Sequence, residues 1–276
     1  MKVIRKSVSM LLSLVMVVSL FTMIPFEISA VSSVNYMDEN GDLQTAANVT
    51  ELTSSSTALE TGWYAVTSDI TISSRIECNG DVHIILCDYA TLKAPKGITV
   101  CENSDLTIYG QSPVSSDVSR GKLLIDDVDQ YFAGIGGMFY SYTVTINGGI
   151  IEATGAQGAA GIGGCYTSDG YVTINGGTVI ATGGELAAGI GGYNTDEERT
   201  TVNLSWKSVD DSIHALDYNG TVTLEKKFIK ETISGVQTIL PAGVVADKSV
   251  IDNMTLLPLK HTGYIDADGT EKNRVL

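Results

Sequence analysis

Short stretches of alternating apolar and polar residues recur along this chain. In Val144-Thr145-Ile146 and Val172-Thr173-Ile174 the aliphatic side chains point one way and the threonine the other, the period of two that a strand imposes. Asn-Gly-Gly follows both, and Asn and Gly tolerate the positive φ of a tight turn. A second short strand comes next, Thr178-Val179-Ile180-Ala181-Thr182 in the later unit. Ile70-Thr71-Ile72, Val82 to Leu86 and Ile98-Thr99-Val100 read as earlier, less regular strands, and no convincing amphipathic helix follows residue 31.

The strands belong to a direct repeat. Val-Thr-Ile-Asn-Gly-Gly begins at Val144 and again at Val172, and Ala-Gly-Ile-Gly-Gly begins at Ala133, Ala160 and Ala188. Ile-Glu-Ala-Thr-Gly at 151–155 matches Ile-Ala-Thr-Gly at 180–183 with one residue of slippage, and weaker copies lie at 106–110 and 202–206. Three short strands and three bends in about 28 residues describe one rung of a solenoid, in which like residues stack at about 4.8 Å. The fold class expected is all-β, a parallel β-helix over 63–230. Asn147 should sit over Asn175 and form an amide ladder. A β-sandwich of repeated hairpins is the alternative. Trp63 and Trp206 flank the repeats and read as capping core residues.

Outside the repeats the chain divides into three parts. Residues 1–30 read as a signal peptide: Lys2, Arg5 and Lys6 precede the apolar run Met10 to Met23, and Ile28-Ser29-Ala30 offers a cleavage site. An uncleaved N-terminal anchor is the alternative. Residues 31–62 form an N-terminal hairpin and a Ser/Thr-rich lead. Residues 231–276 form a C-terminal tail in which Tyr264-Ile265-Asp266-Ala267-Asp268-Gly269 echoes Tyr36-Met37-Asp38-Glu39-Asn40-Gly41, as if a second module copy began there. Both echoes read as a strand entering a hairpin turn, which any surface hairpin could also give.

The chain carries 17 basic and 32 acidic residues, and residues 31–276 retain 14 and 31, a net −17. Such a surface repels nucleic acid, and repels acidic polysaccharides unless a divalent cation bridges the two. No later segment is apolar enough to span a bilayer, so the mature chain is expected to be extracellular, secreted or attached to the cell surface. Cys78, Cys87, Cys101 and Cys165 have no metal-type spacing; they read as buried free thiols, although export would permit disulfides.

The units at 172–184 and 187–192 resemble glycine-rich repeats of exported carbohydrate-binding-domain-containing proteins from clostridial gut bacteria. They are similar to a clostridial polysaccharide-binding β-helix that is related in fold to pectate lyases and binds calcium. The resemblance covers roughly residues 60–230 and implies a right-handed helix and a non-catalytic module that binds a plant or cell-wall polysaccharide. The matching residues are turn glycines and core aliphatics, so no ligand-contacting residue is carried over.

Candidate chemistry is sparse. A polygalacturonase-like site needs paired carboxylates; Asn194-Thr195-Asp196 and Asp210-Asp211 match two of its motifs, but Gly-His-Gly and Arg-x-Lys are missing. A lyase needs a base beside calcium, whereas Arg75, Arg120, Arg199 and Arg274 are scattered, as are His83, His214 and His261. Asp126, Asp127 and Asp129 offer hard oxygen ligands suited to calcium, or else a solvated acidic loop; Asp196-Glu197-Glu198 is a second such loop. Phe139, Tyr140, Tyr166 and Tyr193 follow successive Gly-Ile-Gly-Gly corners. They would either line an edge that holds sugar faces or cover strand ends. The expected function is therefore polysaccharide binding without catalysis, in a monomer or a module of a longer chain. A structural or adhesive spacer that meets a host or cell-surface component, and a pectin-type lyase or hydrolase, are the alternatives.

Overall fold

A computed structural model describes residues 30–112, 119–138, 141–165, 168–193 and 199–259, with side chains from Ser33. The described residues contain strands, turns and one short 3-10 helix, Lys248–Val250. No described helix is long and apolar enough to cross a membrane. The signal segment, Phe139, Tyr140, Tyr166, the loop 194–198 and the second hairpin motif at 264–269 lie outside the described residues.

The architecture is a parallel β-helix with three faces. Among the described residues the sheets that form them contain ten, nine and six strands, the N-terminal hairpin being counted in the first. One rung runs from Tyr142–Ile146 on the first face, through Asn-Gly-Gly, to Ile150–Thr154 on the second, then to Ile162–Gly163 on the third. The next rung begins at Gly170–Ile174 and pairs with the first in parallel, Val144 on Val172 and Ile146 on Ile174. The weaker copies take the same register: Leu106 pairs with Val144, and Val172 with Val202. On the second face Ile151 lies on Val179 and Ala153 on Ala181. The one-residue slippage expected there is therefore absent: Ile180 stacks on Glu152 and points outward, where it is 41% exposed.

Inside the tube each position stacks on its own copy. Val82, Leu106, Val144, Val172, Val202 and Val222 form one fully buried column, and Ile76, Ile98, Ile135, Ile162 and Ile190 another. Packing like on like keeps the cross-section of the tube constant, while backbone hydrogen bonds between parallel strands set the rung spacing. Asn175 Nδ2 donates to Asn147 Oδ1 at 2.9 Å, the expected amide ladder, inside the Asn-Gly-Gly corner. All four cysteines are free; Cys78, Cys87 and Cys165 are buried.

Both ends depart from the simple stack. At the C-terminus Phe228–Glu231, Gln237–Leu240 and Met254–Pro258 extend the second face in antiparallel pairing. Phe228 is fully buried there. At the N-terminus Ala30–Met37 and Leu43–Glu51 form an antiparallel hairpin, turning at Gly41 with φ +86°. This hairpin folds back over the outside of the first face. Ala65 and Ile85 lie on the outward parity of their strands yet are fully buried. Tyr36 packs its ring 4.7 Å from both Trp63 and Tyr109, and Trp63 stacks on His83 at 4.3 Å. Lys207 Nζ donates to the Asp38 carbonyl at the hairpin tip.

Trp63 is thus the anchor of an external strap and not a cap inside the tube, a correction to the sequence reading. Its neighbours come from three strands that no local pattern links. Trp63→Ala should cost about 2 kcal/mol, less than a fully buried tryptophan because the ring is only half-buried. Limited proteolysis should then cut within residues 30–51 well before the rungs open; unchanged cleavage would contradict the strap.

Candidate binding surface

The parity that buries Val and Ile in each rung turns the intervening residues outward. On the first face, beyond the strap, these residues are mostly threonine. One row in register is Thr107, Thr145, Thr173, Asn203 and Thr223; the other is Thr143, Tyr171, Thr201 and Thr221. Each hydroxyl offers one donor and two acceptor positions, repeated at the rung spacing of about 4.8 Å. Tyr171 stands in the second row and is 58% exposed. The result is a flat polar sheet surface with one aromatic ring in it. Sequence reading placed these threonines on the outer parity but did not see a surface in them; the signal available was their alternation with Val and Ile in successive copies.

A second polar ladder follows the corner between the second and third faces. Gln130 Nε2 donates to Gln157 Oε1 at 2.8 Å, and Gln157 Nε2 to Glu185 Oε2 at 3.4 Å. The next residues, Tyr131, Gly158 and Leu186, all take positive φ, between +66° and +76°. The tight bend is therefore kept by stacking even where the residue is not glycine. Of the proposed aromatic edge only Tyr193 is described: it is half-buried and bridges Ala187 in antiparallel fashion, so it closes a loop of the rung.

The acidic loop is paired with a lysine. Lys96 Nζ, one rung earlier, lies 3.0 Å from Asp127 Oδ2 and 3.1 Å from Asp129 Oδ1. The one ammonium pairs with two carboxylates, so the loop keeps a net negative charge, and Asp126 is exposed beside them. Among the described residues no three acidic, histidine or cysteine side chains are gathered as metal ligands.

Arg75, His83 and His214 make contacts within and between rungs. Arg75 donates through Nε to Thr99 Oγ1 at 2.5 Å, through Nη2 to Ala133 O at 2.6 Å, and through Nη1 to Lys96 O. Its guanidinium lies 4.4 Å from the centre of the Phe132 ring. Burial pushes its pKa down to about 10, so it stays charged at neutral pH. His83, on the first face, sits between Trp63, Tyr109 and Asp81. His214 Nδ1 meets Thr255 Oγ1 at 3.4 Å on the second face. Asp211, one half of the Asp-Asp motif, is buried and accepts from the backbone N–H of Gly177, Lys207 and Ser208 at 2.7–2.9 Å. Such a carboxylate is committed to holding a turn.

The fold and its register define a parallel β-helix protein. A family model described as beta helix repeat matches residues 144–166 and 172–192, the two units whose strands pair Val144 with Val172. No curated protein and no solved structure gives a significant match to the chain.

Proposed function

We propose that this β-helix is a non-catalytic polysaccharide-binding module of an exported or surface protein, and that the threonine face around Tyr171 is its binding surface. The observation that carries this reading is the pair of hydroxyl rows in rung register with Tyr171 exposed within one of them. A surface that repeats its hydrogen-bonding groups suits a ligand that repeats its own. An exposed tyrosine supplies a flat apolar ring for a sugar face and a polar tip beside it. The beta helix repeat is consistent with a pectate-lyase-like fold family, which frames the carbohydrate reading without fixing the ligand.

Charge narrows the ligand. A chain with a net −15 opposes a polyuronate along its length, so the ligand is a neutral glycan, and its binding depends weakly on salt. Affinity electrophoresis against neutral and acidic polysaccharides, with and without chelator, tests this. Retardation by a neutral glycan, unchanged by chelator and weakened about tenfold in Tyr171→Ala, is the expected result, equivalent to about 1.4 kcal/mol. Absence of retardation by every neutral glycan tried would contradict the reading and favour a spacer. Release of reducing or unsaturated ends would make the protein an enzyme.

A further inference from the structure

The N-terminal strap does more than cover aromatic residues. Where its tip crosses the stacked Asn-Gly-Gly corners it roofs a cavity of about 190 Å³. Met37 and Gly41 of the strap form one wall; Arg120, Asn147, Lys207 and Asp211 of the rungs form the other.

The polar groups of this cavity are unlike the rest of the surface. Arg120 donates through Nη2 to Thr178 Oγ1 at 2.6 Å, but its Nη1 is buried with no hydrogen-bond partner. A buried, unpaired nitrogen of a guanidinium is costly to leave unsatisfied. Lys207 brings a second cation, held against the strap through the Asp38 carbonyl. Asn147 gives its carboxamide oxygen to Asn175, so what it can offer a ligand is its N–H₂ group. Asp211 is the acid in the lining and already accepts three backbone N–H groups, while Asp38 and Glu39 of the strap also act on Lys207. In a chain with almost twice as many acidic as basic residues, two cations and an amide donor line one half-open cavity.

We propose that this cavity binds a carboxylate, with the Arg120 guanidinium as its main partner and Lys207 and Asn147 as further donors. Guanidinium and carboxylate match in planar geometry, and two parallel N–H···O bonds would satisfy the open Nη1. The volume admits a small acid or the carboxylated end of one sugar. This site is separate from the threonine face and does not depend on what binds there.

Calorimetry and thermal melts of the purified protein test the assignment, using acetate, galacturonate and galactose at constant ionic strength set with chloride. Saturable one-site binding of a carboxylate, a matching rise in melting temperature and no response to galactose are expected. Arg120→Gln should weaken binding at least tenfold, while Tyr171→Ala leaves it unchanged. Equal affinity for acetate and galacturonate identifies the ligand as any small acid; much tighter galacturonate binding identifies a carboxylated sugar. Should Arg120→Gln fail to fold, Lys207→Met, which keeps the alkyl chain, should still weaken binding severalfold. A carboxylate response no greater than that of chloride, or affinity unchanged in a folded variant, would overturn the assignment.

Discussion

Replacing Gly163 by alanine is expected to destabilise the protein by about 4 kcal/mol, lowering its melting temperature by on the order of 10 °C. Gly163 holds φ +140°, and a Cβ built on it lies 1.8 Å from the Gly191 carbonyl oxygen of the next rung. Its copies have the same problem: a Cβ on Gly136 lies 1.7 Å from the Gly163 oxygen, and one on Gly191 lies 1.8 Å from the Asn219 oxygen. The obstacle is backbone, which cannot rotate aside as a side chain can. A positive φ adds about 1–2 kcal/mol for any residue with a Cβ. The rungs must separate or the ladder must break. Gly192→Ala is the control within the same motif. Its Cβ meets only Thr200 Oγ1 at 3.2 Å, so the cost should stay below about 1 kcal/mol. Equal melting temperatures for the two variants would show that the rungs do not stack as described.

Tyr142 should produce an effect of similar size through the opposite fault, a void. Its ring is buried and lies where three glycines have no side chain. A Cβ on Gly170 would be 2.1 Å from its Cζ, one on Gly137 2.2 Å from its Cδ1, and one on Gly164 3.0 Å from its hydroxyl. Tyr142→Ala empties that space and should cost about 3–5 kcal/mol. Tyr142→Phe should be neutral or slightly stabilising. The hydroxyl is buried beside the equally buried Thr200 Oγ1, without a hydrogen bond of good geometry between them. Removing it relieves a desolvated group. Burial also holds the phenol pKa above its usual value, so ionisation contributes nothing at neutral pH. Denaturant titration of both variants separates the two effects. A Phe variant as damaged as the Ala variant would mean that the hydroxyl, and not the ring, holds the site.

These two residues show where reading the chain succeeds and where it stops. Val-Thr-Ile-Asn-Gly-Gly could be read because each step of its logic is local: alternation gives the strand, Asn-Gly-Gly the turn, and repetition the stack. The Tyr36 to Gly41 hairpin could be read for the same reason. The need for glycine at 137, 164 and 170 could not, because the ring that requires it comes from another strand. The pairing of Asp127 and Asp129 with Lys96 could not be read either, because that lysine stands one rung earlier. Trp63 looked like a cap because nothing in its own segment announces Tyr36, His83 and Tyr109 as neighbours. Arg120 drew no attention as a lone arginine, and its partner Thr178 lies two rungs away.

The most direct measurement is an experimentally determined structure read at the strand that holds Val144. Direct copies piled in one register require that strand to lie between those of Leu106 and Val172, parallel to both, with its threonines facing solvent. A Val144 strand paired antiparallel, or with the Val172 strand elsewhere in the molecule, would contradict the fold and with it both proposed binding sites.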